Sequence, residues 1–453
     1  MKDLSVLKKL LLLSSIAFAT LLVADNANLS RPTPVVDTNT SMLFDDQQMN
    51  TRDQKEKTTD LEAYLSELKR QQFGYEYEQT DQESSKLRDS WIRPLILRYN
   101  INRSNPNENY GAGESETQSA AIVMDQPIFQ SGGIIYGVKF ANASREFSNY
   151  SIDQQKRIMI KQTIDLLMRV KQSDLSIEKQ HLQIANSTIN LEQKREQYMN
   201  GQLDSGFLNN AIIELNIVKQ ALFDLETGNA QLISQFKKLS DLDPKTAKIP
   251  FLAVVNEQRF LEENIDIKLA ESEREKNRLN KNITLVKYLP SVNLQASYNW
   301  QKQKSYFVFG QGQPVNSTTE TDYYRYGVSA SMPLDINSFN DFEASKVAYL
   351  KSEIVIDDKK RELQLLHEQV MQNLINYDKK IALAEENRKL YEELLSDTSE
   401  QFKAGYKTQY DVDILSNSMA IETINQKVFE IDKQLELLTL YEKMVSENSK
   451  DNE

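Results

Sequence analysis

Two histidines, His181 and His367, and no cysteine are all that 453 residues offer of the side chains that most often do chemistry near neutral pH. Without a thiol there is no thiolate nucleophile, no Cys-ligated zinc and no N-terminal cysteine to carry a lipid. Both histidines fall on polar helical stretches, where a solvated imidazole is expected. Acidic residues number 66 against 54 basic ones, so carboxylate pairs at catalytic spacing arise by chance, and none has a recognisable pocket context. No enzyme, metal or cofactor is expected, and the net charge of −12 argues against a nucleic-acid partner. What remains to the acids is electrostatics. Asp411 and Asp413 follow Gly405 closely; they fit simple first-turn acids stabilised by a helix macrodipole.

The elements that must position such residues start with Leu289–Trp300. From Val292 the even positions are apolar (Val292, Leu294, Ala296, Tyr298, Trp300) and the odd ones polar, a period-2 strand with one apolar face. Residues 323–332 repeat the pattern, with Tyr324, Tyr326, Val328, Ala330 and Met332 against Arg325, Ser329 and Ser331, so the two form a long antiparallel hairpin. A similar pair precedes it. A strand begins at Trp91, with Leu95, Leu97, Tyr99 and Ile101 alternating with Arg98, Asn100 and Asn102; a loop covers 103–116 and a weaker strand 118–129. A lone hairpin is barely stable in water, so a second hairpin, other copies of the chain, or lipid must complete it. The aromatic cluster Trp300, Tyr298, Tyr323, Tyr324 and Tyr326 suits a membrane-interface belt. Ordinary strand packing explains Tyr298 and Tyr326 nearly as well.

The rest of the chain is helical, over about 133–199, 207–239, 254–287, 337–403 and 408–446. The 337–403 stretch alone would be ~100 Å long. Ile424, Val428, Ile431, Leu435 and Leu438 step 4, 3, 4, 3, and Leu363, Leu366, Val370, Leu374, Tyr377 and Ile381 step similarly, the spacing of a coiled coil. No proline falls inside a long helix, where it costs about 3 kcal/mol. Pro94, Pro127, Pro290 and Pro333 mark strand–helix junctions, and Pro106 and Pro314 the hairpin loops. Two halves share one order of lead-in, strand, loop, strand, long helix, glycine turn and shorter helix. Tyr198-Met-Asn-Gly201 ends the first long helix and Phe402-Lys-Ala-Gly405 the second, 204 positions later. Such a duplication organises the chain as 60–250 and 251–446. Residues 1–24 resemble a removed signal peptide (Lys2, Lys8 and Lys9 before an apolar run, Ala17-Phe18-Ala19 a small-x-small site). Residues 25–59 are a polar, disordered lead-in and 447–453 a polar tail. A mean hydropathy of −0.57 excludes a polytopic helical membrane protein.

Four amphipathic strands cannot close a barrel, and a membrane demands that every backbone group be satisfied. The strands are therefore expected to be pooled in a symmetric oligomer; three copies give twelve strands, within the known range. At this point the chain resembles the TolC-like outer-membrane efflux and secretion channels of Gram-negative bacteria, over about residues 60–446. The match is carried by Tyr288-Leu-Pro-Ser-Val-Asn-Leu-Gln-Ala-Ser-Tyr298, Val328-Ser-Ala-Ser-Met-Pro-Leu334 and Phe402-Lys-Ala-Gly-Tyr-Lys-Thr-Gln-Tyr-Asp-Val-Asp-Ile-Leu415. The resemblance implies an α+β membrane protein. It implies a homotrimer whose twelve-stranded outer-membrane β-barrel, set in lipid, stands on a long periplasmic α-helical coiled-coil barrel. It also implies a passive exit duct of a tripartite efflux pump or type I secretion system. The Gly201 and Gly405 turns would form the tip that meets a periplasmic adaptor (membrane fusion) protein and an inner-membrane pump, proton-driven or ABC. Carried over residue by residue, the gate falls on Asp411 and, one position displaced, Asp413; the second acidic position itself holds Ile414. Lys407 stands where the family has a linking arginine and Phe402 where it has a tyrosine, and in the first half Phe207, with Asp204 nearby, takes the acidic place. A rival from another class, a soluble periplasmic coiled-coil adaptor or scaffold, accounts for the signal peptide and heptads but leaves the apolar hairpin faces and the duplication unexplained.

Overall fold

The computed structural model describes residues 61–104, 112–307 and 315–445. The expected signal peptide, polar lead-in, C-terminal tail and both hairpin-loop prolines lie outside them. After a short 3₁₀ turn at Leu61–Tyr64 the order is α1 (Glu67–Arg88), β1 (Ile96–Ser104), β2 (Ala112–Phe129), α2 (Gly133–Met199), α3 (Ser205–Lys237), α4 (Glu257–Glu262), α5 (Ile265–Val286), β3 (Ser291–Phe307), β4 (Val315–Ser331), α6 (Ser338–Lys403) and α7 (Gln409–Tyr441). The molecule is mostly helix with one four-stranded antiparallel sheet, ordered β1-β2-β3-β4.

Each half supplies one very long helix and one of 33 residues: α2 of 67 with α3, and α6 of 66 with α7. Both long helices run without a proline, as their sequence demands. Helix α2 is the axis of the body; α1, α3, α5 and α7 all pack on it, and α6 packs on α5 and α7. The core sits beside the middle of α2, where Ile164, Leu167 and Met168 are fully buried. The C-terminal end of α7 (Leu437, Leu438, Leu440), Phe236 at the end of α3, and Ile249 and Leu252 of the connector between the halves contribute further buried side chains. Burying each such side chain contributes roughly 1.5–3 kcal/mol.

A backbone clasp ties each lead-in to the end of its own half. Ser66 N donates to Leu239 O at 2.8 Å; in the second half Ile265 N donates to Lys443 O and Val445 N to Glu263 O, both at 2.8 Å. Between α4 and α5, Asn264 is fully buried, and its Oδ1 accepts from Asp266 N and Ile267 N. The expected helix over 254–287 is therefore interrupted here, because a side-chain cap starts α5 afresh.

His367 corrects an expectation. It is buried rather than solvated: its Nε2 stands 2.9 Å from Val255 O and its ring 5.8 Å from that of Phe260. A carbonyl only accepts, so Nε2 carries the proton. Gln434 Oε1 of α7 accepts from Leu252 N at 2.8 Å. Together the two side chains satisfy one carbonyl and one amide of the connector. His367→Leu leaves a buried carbonyl without its donor and is expected to lower stability by about 1–3 kcal/mol, with earlier protease cleavage around residues 250–256. His181 is exposed, as expected.

In the sheet the β2–β3 ladder joins the two hairpins, so one completes the other. The strands reach further than their side-chain pattern: Arg103 pairs with Glu116 and Ser104 with Ser115 inside the stretch expected as loop. The polar residues there hold an ion pair, Arg103–Glu116 at 2.8 Å, and the ladder itself needs only backbone. Pro127 lies within β2, beside a register shift, not at its end; with no N–H to give, proline belongs at such an irregularity.

Candidate functional site

At one end of the body the two helix pairs turn back on themselves. After α2, Gly201 N donates to Tyr198 O at 3.0 Å and Gln202 N to Gln197 O at 2.8 Å; after α6, Gly405 N donates to Phe402 O at 2.9 Å and Tyr406 N to Gln401 O at 2.8 Å. Both are Schellman turns, which need one residue at positive φ. The glycines supply it, at 71° and 85°. The following helices are capped at once. Asp204 Oδ1 accepts from Gly206 N at 2.7 Å. Thr408 and Asp411 form a capping box, with Thr408 N donating to Asp411 Oδ2 at 2.9 Å and Asp411 N to Thr408 Oγ1 at 3.4 Å.

The expected gate residues cluster here and are already occupied. Asp411 is half-buried, and a single carboxylate oxygen takes both the Thr408 amide and the Thr408 hydroxyl at 2.8 Å. Those two hydrogen bonds, aided by the Lys407 ammonium, hold its carboxyl below the usual carboxylate range. Asp413 Oδ1 accepts from Gln409 Nε2 at 2.7 Å. Lys407 is exposed, and Phe402, also exposed, contributes its carbonyl to the turn and has no hydroxyl to link with. Phe207 is exposed in the first turn of α3. Because the folded pKa of Asp411 is depressed, its cap stabilises the tip above the ordinary carboxylate pKa and is lost as pH falls through the folded value.

A link across the tip comes from elsewhere. Tyr410 OH donates to Glu196 Oε1 at 3.3 Å, joining the end of α2 to the start of α7; the Glu196 charge raises the phenol's pKa, so it stays a neutral donor. Above it the α2–α7 seam continues as polar rungs. Asn417 Nδ2 donates to Asn186 Oδ1 at 2.8 Å, Lys179 Nζ to Asn425 Oδ1 at 2.9 Å, and Gln172 Nε2 to Asp432 Oδ1 at 2.6 Å. The rungs recur near every seventh residue on both helices; on α7 Asn425 and Asp432 each directly follow a buried isoleucine of the heptad series, Ile424 and Ile431. That spacing is visible in the sequence; the pairing of distant positions is not.

At the other end, the register sorts the sheet into two faces. Rows Phe129–Val292–Ala330, Gln126–Leu294–Val328, Met124–Ala296–Tyr326, Ile122–Tyr298–Tyr324 and Ala120–Trp300–Asp322 lie on one side, extended by Leu97 and Tyr99 of β1. This face is almost entirely apolar and is exposed in the single chain: Tyr326 is 79% and Val328 66% exposed. Tyr324 and Tyr326 stack there, 6.2 Å between rings. At its outer edge Tyr298 OH donates to Asp322 Oδ2 at 3.1 Å and Trp300 Nε1 to Glu320 Oε1 at 2.8 Å, so the apolar rows end in hydrogen-bonded aromatics and acids. Tyr323 is separated from the other four aromatics: it shares a row with Arg98 and Asn299 on the opposite, polar face. Among the described residues no group of acids or histidines could hold a metal ion, and no helix is long and apolar enough to cross a membrane.

No known family model and no curated protein matches the sequence. Solved structures do match in fold. The outer membrane protein VceC of Vibrio cholerae has a TM-score of 0.64 at 15% identity, covering 85% of this chain and 95% of its own. The CmeC outer membrane channel of Campylobacter jejuni has a TM-score of 0.60 at 11% identity, covering 94% and 97%. The open state of the MtrE outer membrane channel of Neisseria gonorrhoeae has a TM-score of 0.53 at 13% identity, covering 84% and 87%. The chain thus has the fold of these channels, a long helical body carrying a four-stranded sheet.

Proposed function

We propose that three copies of the chain form a passive exit duct through the outer membrane, with the helical body reaching into the periplasm. The observation that carries this reading is the sheet: one continuous apolar face, two open edges (β1 and β4), and helices of ~100 Å leading away from it. From Val292 to Trp300 the apolar rows run about 27 Å along the strand. At the tilt of membrane barrels, ~40°, that is roughly 20 Å of height, close to the ~25 Å apolar band such barrels present to lipid. Closing the two edges against neighbouring copies satisfies every backbone group at membrane depth. The apolar residues left exposed on the helices, such as Ile217 and Phe223 of α3 and Val347 and Ile354 of α6, find partners in the same assembly.

The tip is the gate in this reading. Near the tip, where α7 buries no side chain before Ile424, the α2–α7 seam can separate at modest cost, because each rung there adds only about 1 kcal/mol net and its groups are readily rehydrated. An apolar seam would resist opening. Asp411 serves as a cap and, tripled around the tip, as a negative ring. Asp411→Ala is expected to lower stability at the start of α7 by ~1 kcal/mol and to reduce the cation preference of single channels at the same time. An unchanged preference, read from reversal potentials, would leave Asp411 as a cap alone. The Gly201 and Gly405 turns are the surface offered to a periplasmic adaptor and, through it, to a proton-driven or ABC pump in an efflux or type I secretion assembly.

The decisive experiment is envelope fractionation with a carbonate wash, followed by conductance of the purified protein in planar bilayers. A duct stays with the outer membrane and yields discrete channels; release by carbonate would favour the soluble adaptor. Photo-crosslinking from position 407 then identifies what meets the tip.

A further inference from the structure

The polar face of the sheet carries a charge pattern opposite to that of the whole chain. Arg98, Ala121, Asn299 and Tyr323 form one cross-strand row, and Ile96, Val123, Ser297 and Arg325 the next. Both arginines therefore stand on this face, one on each edge strand, and both are exposed. Among the described residues neither has a carboxylate partner. Asp125, the one acid whose described side chain lies on this face, is taken by Arg93 and by Asn293 Nδ2 at 3.2 Å. Arg325 is steadied over the Tyr323 ring, 5.7 Å from its centre. The remaining neighbours are neutral: Asn100, Ser119, Asn299, Gln301 and Thr321. In a chain of net charge −12, this patch is an exception.

We propose that Arg98 and Arg325 form an anion-binding ring on the inner wall of the outlet, which retards or selects solutes bearing carboxylate or phosphate groups as they leave. The inference rests on the duct reading above, which turns the polar face toward the lumen. Its geometry follows from where the arginines sit. When the sheet closes between copies, β1 of one copy lies about 4.8 Å from β4 of the next. Each seam then carries Arg98 from one side and Arg325 with Tyr323 from the other, so three seams bring six guanidiniums to the inner wall. A guanidinium is always charged, and its planar fork matches a carboxylate or phosphate in two parallel hydrogen bonds. Its neutral neighbours neither cancel the charge nor compete as anions. The tip acids and the outlet arginines thus place two filters of opposite sign in series, the first at the gate and the second at the exit.

The test uses the purified full-length protein in planar bilayers at about 0.05 M KCl, where screening is weak. The probe is inorganic tripolyphosphate, added to one side at a time. Block is expected from the extracellular side. Arg98→Gln with Arg325→Gln is expected to weaken it roughly tenfold or more, as loss of charge-assisted contacts implies. The charge-preserving pair Arg98→Lys with Arg325→Lys is expected to retain most of it, which separates loss of charge from loss of shape. Asp411→Ala should leave this block unchanged. Channels that are never blocked from outside, or are blocked equally in the glutamine pair, would overturn the arginine ring while leaving the duct in place. A protein that gives no channels at all would overturn the duct reading and the ring with it.

Discussion

Val328→Arg is expected to leave the helical body folded and to abolish stable insertion. Val328 sits one row from the middle of the apolar band, across from Leu294, and is two-thirds exposed in the single chain. An arginine at the midplane of a membrane barrel costs about 2–4 kcal/mol, and a symmetric assembly meets that cost once per copy. In water the same substitution on an exposed strand is nearly neutral. Circular dichroism and carbonate fractionation of one preparation check both halves of the expectation. Full helix content with loss from the outer membrane is the predicted pair of results, whereas an unchanged distribution would mean that this face does not meet lipid. Ser329→Arg, on the polar face next door, is the control and should insert normally.

The second large effect is expected at the turn after α6. Gly405 holds φ at 85° with open space where a Cβ would stand, so the obstacle to Gly405→Val is the backbone alone. A β-branched residue at positive φ is strained by roughly 1–3 kcal/mol, enough to unwind the Schellman turn and displace the Thr408–Asp411 box that follows. Function should fall sharply while the sheet and the core beside the middle of α2 persist, and Gly201→Val should do the same at the first turn. Gly405→Asn, which tolerates this region better, should retain activity. Wild-type function in the valine variant would remove the turn from the working surface.

These turns show how much the sequence could say. Helix ends fell within a few residues of their observed places because glycine, proline and capping side chains act locally: Gly201, Asp204, Gly405 and Thr408 each do their work within a few residues. The strand faces were legible for the same reason, since alternation needs no knowledge of partners. What escaped was set by distant neighbours. His367 stands at helical spacing among Leu363, Val370 and Leu374, which are buried with it, but its hydrogen-bond partner is a connector residue 112 positions away. The Tyr410–Glu196 link spans 214 positions; attention to the family's usual locking positions pointed to Phe402 instead. Tyr323 was grouped with four other aromatics by composition, although its odd position puts it on the polar face beside Arg325. On the loop side the strands were cut short because Arg103, Glu116 and Ser104 lack apolar alternation while their backbones continue the ladder, and β1 opens at Ile96 rather than at Trp91.

The two clasps and the two open edges differ in when they can form. Ser66 with Leu239 and Ile265 with Lys443 close within one chain, so the helical body can mature in a single copy at a rate independent of how many others are present. The edges of β1 and β4 can be satisfied only by a neighbour, and β1 offers nine residues against the seventeen of β4. In the proposed duct, maturation therefore divides into a first-order stage and a later, concentration-dependent one. The shorter strand limits how many ladder bonds each encounter can make, so refolding at increasing dilution should stall after the helical signal has recovered and before the sheet becomes resistant to detergent.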